Sequence, residues 1–327
     1  MRNRRHFLHI FAATAALAAT PVASAEVYPA RPVTIISPTP PGAVTDTTAR
    51  ILAERMRTSL GQPVIVENVP GGGFILGNAR VARAAPDGYT LGIGQWSSHV
   101  SSPAMLPVPY DVRADFEPVS LLPSSLLWIV GRPSFPAGNL RELIVWLKAN
   151  QEKATAGLPG TGSGGHVSAI YFQNATGTRF QLVPYRGGAA AMQDLISGQI
   201  DLMFAEASQM LAHVRSGKIR PYAVMADHRW SAAADVPTVD EMGLPGLHIS
   251  FWHGLWMPKG TPDAQRARIN AAVVDALADA AVRQRFTDLG MEIPPRERQT
   301  PEALRAFHAA EIEKWWPVIK AANIRLD

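Results

Sequence analysis

Apolar positions along this chain follow two periods in turn. After Pro32, Val33, Ile35 and Ile36 form a short β-branched run that predicts a strand. The turn-rich segment 38–46 follows. Ile51, Leu52, Met56 and Leu60 then fall on one helical face, which Gly61 closes. Residues 64–66 predict a second strand. Gly71, Gly72 and Gly73 lead into a helix ending near Ala85, and residues 89–93 predict a third strand. Strand and helix alternating at this spacing imply a parallel sheet with right-handed crossovers.

The order then repeats. Asn139 is placed to cap a helix carrying Leu140, Leu143, Ile144 and Leu147. A strand near 153–157 leads into the glycine loop 160–166 and a helix. Residues 182–185 lead into 186–188 and another helix, and 200–204 lead into Ala205, Glu206 and a helix ending near Gly217. The remainder has an apolar run at 249–257 and helices at about 262–289 and 301–322. It holds too little sheet to stand alone and is expected to pack back on the first unit. The expectation is an α/β chain with a two-lobed, type II-like binding-protein fold. Domain 1 is discontinuous (26–125 and 226–327) and domain 2 (126–225) is inserted into it. Two crossover strands join the lobes, with a hinge and a ligand cleft between them.

The first 25 residues change the picture of compartment and charge. Arg2, Arg4 and Arg5 precede an alanine-rich apolar run and Ala23-Ser24-Ala25, the pattern of a signal peptide cleaved after Ala25. Arg4-Arg5-His6-Phe7-Leu8 also resembles a twin-arginine export signal, so export to the periplasm is expected by either route. The apolar run is too short to span a bilayer, and no membrane-embedded segment is expected elsewhere. The 327 residues carry a formal charge of +4. Removing the three leader arginines from 31 basic residues leaves 28 against 27 acidic ones, so no nucleic-acid partner is implied. The chain has no cysteine, which excludes disulfides, thiolate metal sites and a cysteine nucleophile.

Three loops share one grammar: a strand, then glycines and hydroxyl residues, then a helix start. They are 38–46, 160–166 and 185–189. Free N–H groups and the positive end of a helix dipole suit a carboxylate. Each loop alone reads first as a tight strand–helix turn. Together they predict an anion cleft formed by Thr39, Pro41, Gly42, Ala43, Val44, Thr45 and Asp46, by Gly162, Ser163, Gly164 and His166, and by Tyr185, Gly187 and Gly188. Trp96 and Ser97, at the end of the third strand, and Glu206, after an apolar strand, are further candidates. The remaining histidines read as surface or supporting residues, without metal-ligand spacing. Gly160, Gly162 and Gly165 match G-x-G-x-x-G, but no acidic residue lies between Lys153 and Gln193 to hold a ribose. No cofactor is expected.

These residues resemble the solute-binding proteins of tripartite tricarboxylate transporters, the Bug family. The likeness runs through Pro40-Pro41-Gly42, Asp46, Ala49-Arg50, Gly61-Gln62-Pro63-Val64, Glu67-Asn68 and Pro86-Asp87-Gly88-Tyr89. It continues through Asp115-Phe116, Val183-Pro184-Tyr185-Arg186-Gly187, Gly198-Gln199, Val236-Pro237-Thr238 and Gly260-Thr261-Pro262. The resemblance implies a binding protein and no enzyme. It implies capture of a small organic carboxylate by N–H groups, hydroxyls and waters, and hand-off to two membrane subunits. The chain departs from the family pattern at Ala43, Phe74-Ile75 and Ala205-Glu206. With Trp96, the bulk of Phe74 and Ile75 predicts an aromatic or apolar-bodied ligand stacked on the indole. Two other readings remain: an exported enzyme using Ser163 and His166, and a ligand-sensing subunit of a signalling system.

Overall fold

The computed structural model describes residues 28–160, 162–185 and 187–322; the leader and cleavage site expected from the sequence, Thr161 and Arg186 lie outside them. In chain order the elements are β1 Val33–Ser37, α1 Val44–Leu60, β2 Val64–Asn68, α2 Ile75–Ala82 and β3 Thr90–Gln95. A π-helical turn at Ser97–Ser101 runs into α3 Ser102–Met105, before β4 Phe116–Gly131. Then come α4 Leu140–Ala149, β5 Thr155–Leu158, α5 Gly164–Thr176, β6 Gln181–Pro184, α6 Gly188–Ser197, β7 Leu202–Glu206, α7 Ala207–Arg215 and β8 Arg220–Val224. The chain closes with β9 Ser250–Pro258, α8 Asp263–Ala278, α9 Ala280–Asp288, β10 Met291–Glu292 and α10 Pro301–Ala321.

β4 is the spine. Its residues up to Leu126 pair antiparallel with β9, and from Leu127 onward they pair with β7 and β8. One strand therefore serves two sheets. The first has order β2-β1-β3-β9-β4, the second β4-β7-β5-β6. A second crossing runs from β8 to β9, where Met225 donates to the Leu127 carbonyl and Ile249 to the Met225 carbonyl.

Within each half the expected parallel pairs form: β1 with β2 and β3, and β5 with β6 and β7. The return strands β9 and β4 are antiparallel, so the sheet is mixed. α1 ends where the pattern predicts, with Gly61 at φ 71 closing it. Asn139 caps α4 through the Glu142 N–H. The helix expected over 262–289 is two helices, because Asp279 turns its carboxylate onto the Ala281 and Val282 N–H groups and starts a new one. β4 itself had no period to betray it: Leu121, Leu122, Leu126, Leu127, Trp128, Ile129 and Val130 are all buried, on both faces.

Candidate functional site

The carboxyl ends of β1, β3, β5, β6 and β7 carry the loops singled out above, where ligands bind in open parallel sheets. The two halves already touch there. Ser101 Oγ donates to the Gly162 carbonyl at 2.9 Å. The Phe251 ring lies so close over Gly164 that an added Cβ would sit 1.9 Å from its tip, so glycine is required by the approach itself.

The loop after β1 is held from the side. Asp46, almost fully buried, accepts from the Gly42 N–H (2.8 Å), from Asn68 Nδ2 (2.8 Å) and from Arg50 Nε (3.0 Å). Asn68 also donates to the Thr39 carbonyl. Burial pushes the Asp46 carboxyl up, but these three donors outweigh it and hold its pKa below the usual range. Asp46 thus shapes the loop, and its carboxylate is already occupied. Thr39 Oγ1 pairs with Ser37 Oγ at 3.0 Å. Thr45 Oγ1 donates to Gln95 Oε1 at 2.8 Å and faces His253 Nε2 at 3.2 Å; the His253 Nδ1–H goes to the Pro123 carbonyl.

What the loop leaves free is backbone. Ala43 is the N-cap of α1 and makes no side-chain cap, so the Val44, Thr45 and Asp46 N–H groups find no acceptor among the described residues. Pro41 and Gly42 are exposed at the tip, with open space where a Gly42 Cβ would stand. α6 is uncapped in the same way behind Gly187 (φ 119, open space in front), and Gly188 lies under Gln209. α7, which starts after Glu206, also has no side-chain cap.

The loop after β5 differs. Ser163 caps α5 by accepting from the His166 N–H (3.3 Å), and His166 Nδ1 accepts from the Gly162 N–H (3.0 Å). Burial lowers the His166 pKa. The Ser163 and His166 side chains each face backbone, and among the described residues they are not hydrogen-bonded to one another. The Tyr185 hydroxyl donates to Asp194 at 2.6 Å, on the adjoining helix.

Trp96 corrects an expectation. It is 0% exposed, edge-on to Trp315 at 5.7 Å and tilted against Phe251 at 6.0 Å, so its ring has no free face for stacking. Ser97 opens the π-helical turn and is buried. Phe74 is the left-handed N-cap of α2 (φ 76), and Ile75 packs on the core. His99, His253 and His308 are likewise core residues; His99 lies flat on Trp256 at 3.9 Å. Gln95, Asn68, Ser101 and Phe251 support the site without having been singled out. Asn68 alone gave a signal, in the Glu67-Asn68 stretch of the family likeness.

Comparison with known proteins follows this geometry. Residues 48–324 match the model of the tripartite tricarboxylate transporter family receptor. The chain is 36% identical over 319 residues to BugT of Bordetella pertussis (strain Tohama I), covering 97% of this chain and 96% of that protein. It superposes with a TM-score of 0.75 on MatC of Rhodopseudomonas palustris with bound malate, at 36% identity over 89% of this chain and 100% of MatC. The periplasmic binding protein BugD gives a TM-score of 0.75 and 35% identity, covering 91% of this chain and 99% of BugD. The architecture is the two-lobed α/β fold of periplasmic binding proteins. The chain belongs to the tripartite tricarboxylate transporter receptors, the Bug family.

Proposed function

We propose that this protein is a periplasmic receptor that captures a small organic carboxylate and delivers it to two membrane subunits of a tripartite transporter, without catalysis. The observation that carries the reading is the uncapped start of α1, whose three free N–H groups stand on a braced loop at the cleft. A carboxylate there receives the hydrogen bonds that a capping side chain would otherwise make. MatC, of the same family, holds malate. Among the described residues no helix is long and apolar enough to cross a membrane, which fits a periplasmic carrier. The lobes are read as 26–125 with 226–327, and 126–225; the change of β4 partners between Leu126 and Leu127 supports that division. The ligand-holding groups are read as the N–H groups at the starts of α1, α6 and α7, and closure as a hinge motion about β4. The self-satisfied Ser163 and His166 favour this over an exported enzyme.

A thermal-shift screen of the mature protein against a carboxylate panel tests the reading, because a ligand that binds only the folded state raises stability by mass action. One or more carboxylates should raise the melting point, and small-angle scattering should show a smaller radius of gyration when bound. A panel that leaves both unchanged at millimolar concentration rejects it.

A further inference from the structure

The turn after β7 contains a group that the helix ends leave unexplained. Glu206 is the last residue of β7 and the N-cap of α7, yet its side chain does not cap that helix. Its Oε2 is enclosed and has no hydrogen-bond partner among the described residues, and the same holds for Ser125 Oγ. The two belong together. Glu206 stands opposite Leu127 in the β4–β7 register, two residues from Ser125, and the hydroxyl lies beside the carboxyl without reaching hydrogen-bond geometry. Burial raises the Glu206 pKa, which the Ser125 hydroxyl partly offsets.

They sit where the two sheets meet along β4. β4 passes from β9 to β7 between Leu126 and Leu127, and Ser125 is paired with Phe251, the ring that covers Gly164 at the start of α5. A carboxyl oxygen enclosed without a partner is costly, and it persists where something bound supplies the missing donor.

We infer that Glu206, with Ser125 beside it, is the specificity-determining pair of the cleft and takes a hydrogen-bond donor, a hydroxyl or amino group, on the body of the carboxylate. The inference rests on the receptor reading above. The division of labour follows from what each group can do. Helix N–H groups only donate and so suit the ligand's carboxylate, while a carboxylate side chain accepts and repels a second carboxylate. A ligand without a donor leaves the pair unmet, and sites built around a hydrogen bond reject analogues that lack it.

Calorimetry on the mature wild type, Glu206→Ala and Glu206→Gln, with succinate, malate and aspartate as probes, tests this. Wild type should bind malate or aspartate at least about tenfold tighter than succinate. Glu206→Ala should erase that preference while succinate affinity stays within about threefold. Glu206→Met gives the same comparison with more of the side-chain volume kept, should the alanine variant unfold. Glu206→Gln keeps the preference when the donor is a hydroxyl and loses it when the donor is an amino group, so either result names the donor. Equal binding of all three probes by wild type, or an undiminished preference in Glu206→Ala, overturns the assignment and leaves the receptor reading standing. A wild type that binds none of the three overturns the assignment too, and the wider carboxylate screen then decides the receptor reading separately.

Discussion

The loops after β1 and after β5 are both glycine-and-hydroxyl turns that open a helix, and they end in opposite states. In the first, the side chains of Asp46, Asn68 and Arg50 brace the backbone while Ala43 leaves the helix start bare. In the second, Ser163 takes up the His166 N–H and His166 takes up the Gly162 N–H. The N-cap residue decides the difference. Both caps have extended backbone, Ala43 at φ −66, ψ 158 and Ser163 at φ −65, ψ 162, but only serine carries an oxygen that reaches back to the helix. An alanine there forgoes about 1 kcal/mol of helix stability. What the chain keeps in return is a third free N–H group at the α1 start, for the proposed carboxylate, where α5 has its own taken up by Ser163.

The largest effect expected comes from the support beneath the first loop. Burial drives the His253 pKa down to about 4, against the smaller opposing pull of its hydrogen bond to the Pro123 carbonyl; His308 is also near 4 through burial. The unfolded chain binds protons at these sites below about pH 6.5, and the folded chain does not until about pH 4. Stability is therefore full above pH 6.5 and falls as pH drops through that window, by about 3 kcal/mol for each imidazole. Urea unfolding at pH 7 and pH 4.5 measures it, and His253→Gln should flatten the slope by about one proton.

Next is Asp46→Ala, which strands the Gly42 N–H and the Asn68 amide. It should cost about 2–3 kcal/mol in urea unfolding and weaken carboxylate binding at least about tenfold. An equal loss of stability with unchanged affinity would mean the brace does not position the seat.

Ala43→Ser reverses the comparison directly. The new hydroxyl caps α1, adding about 1 kcal/mol of stability, and competes with the ligand for the same N–H groups. Melting temperature should rise while affinity falls about tenfold; a gain in both would place the anion elsewhere. The smallest effect is Ser163→Ala, about 1 kcal/mol lost from α5 with carboxylate affinity within threefold of wild type, because the proposed seat is the start of α1. A large affinity loss would restore Ser163 as a ligand group.

Much of this site is written in short stretches. The β-branched run at 33–37, the glycine at 61 and the Asn139 cap act within a few residues, so local pattern places β1, α1 and α4 correctly. The same locality placed the anion loops at strand ends. It could not tell Ala43 from Ser163 in function, although the two letters differ in the one property that matters. Trp96 shows the opposite limit: beside Ser97 and Ser98 it reads as a pocket residue, but Trp315 and Phe251, more than 150 positions away, close over it.

The sequence alone determined the alternation of strands and helices, the glycine turns, the absence of cysteine chemistry and, through many small motifs in register, the family. Each of these depends on neighbours along the chain. Only the tertiary structure decided that Asp46 braces its loop and that Ser163 and His166 turn to backbone. It also decided that β4, apolar on both faces, threads both lobes, and that Glu206 comes beside Ser125 where β4 changes partners. Those outcomes depend on which groups from distant segments take up each donor and acceptor, and burial makes that pairing obligatory without naming the partner in advance.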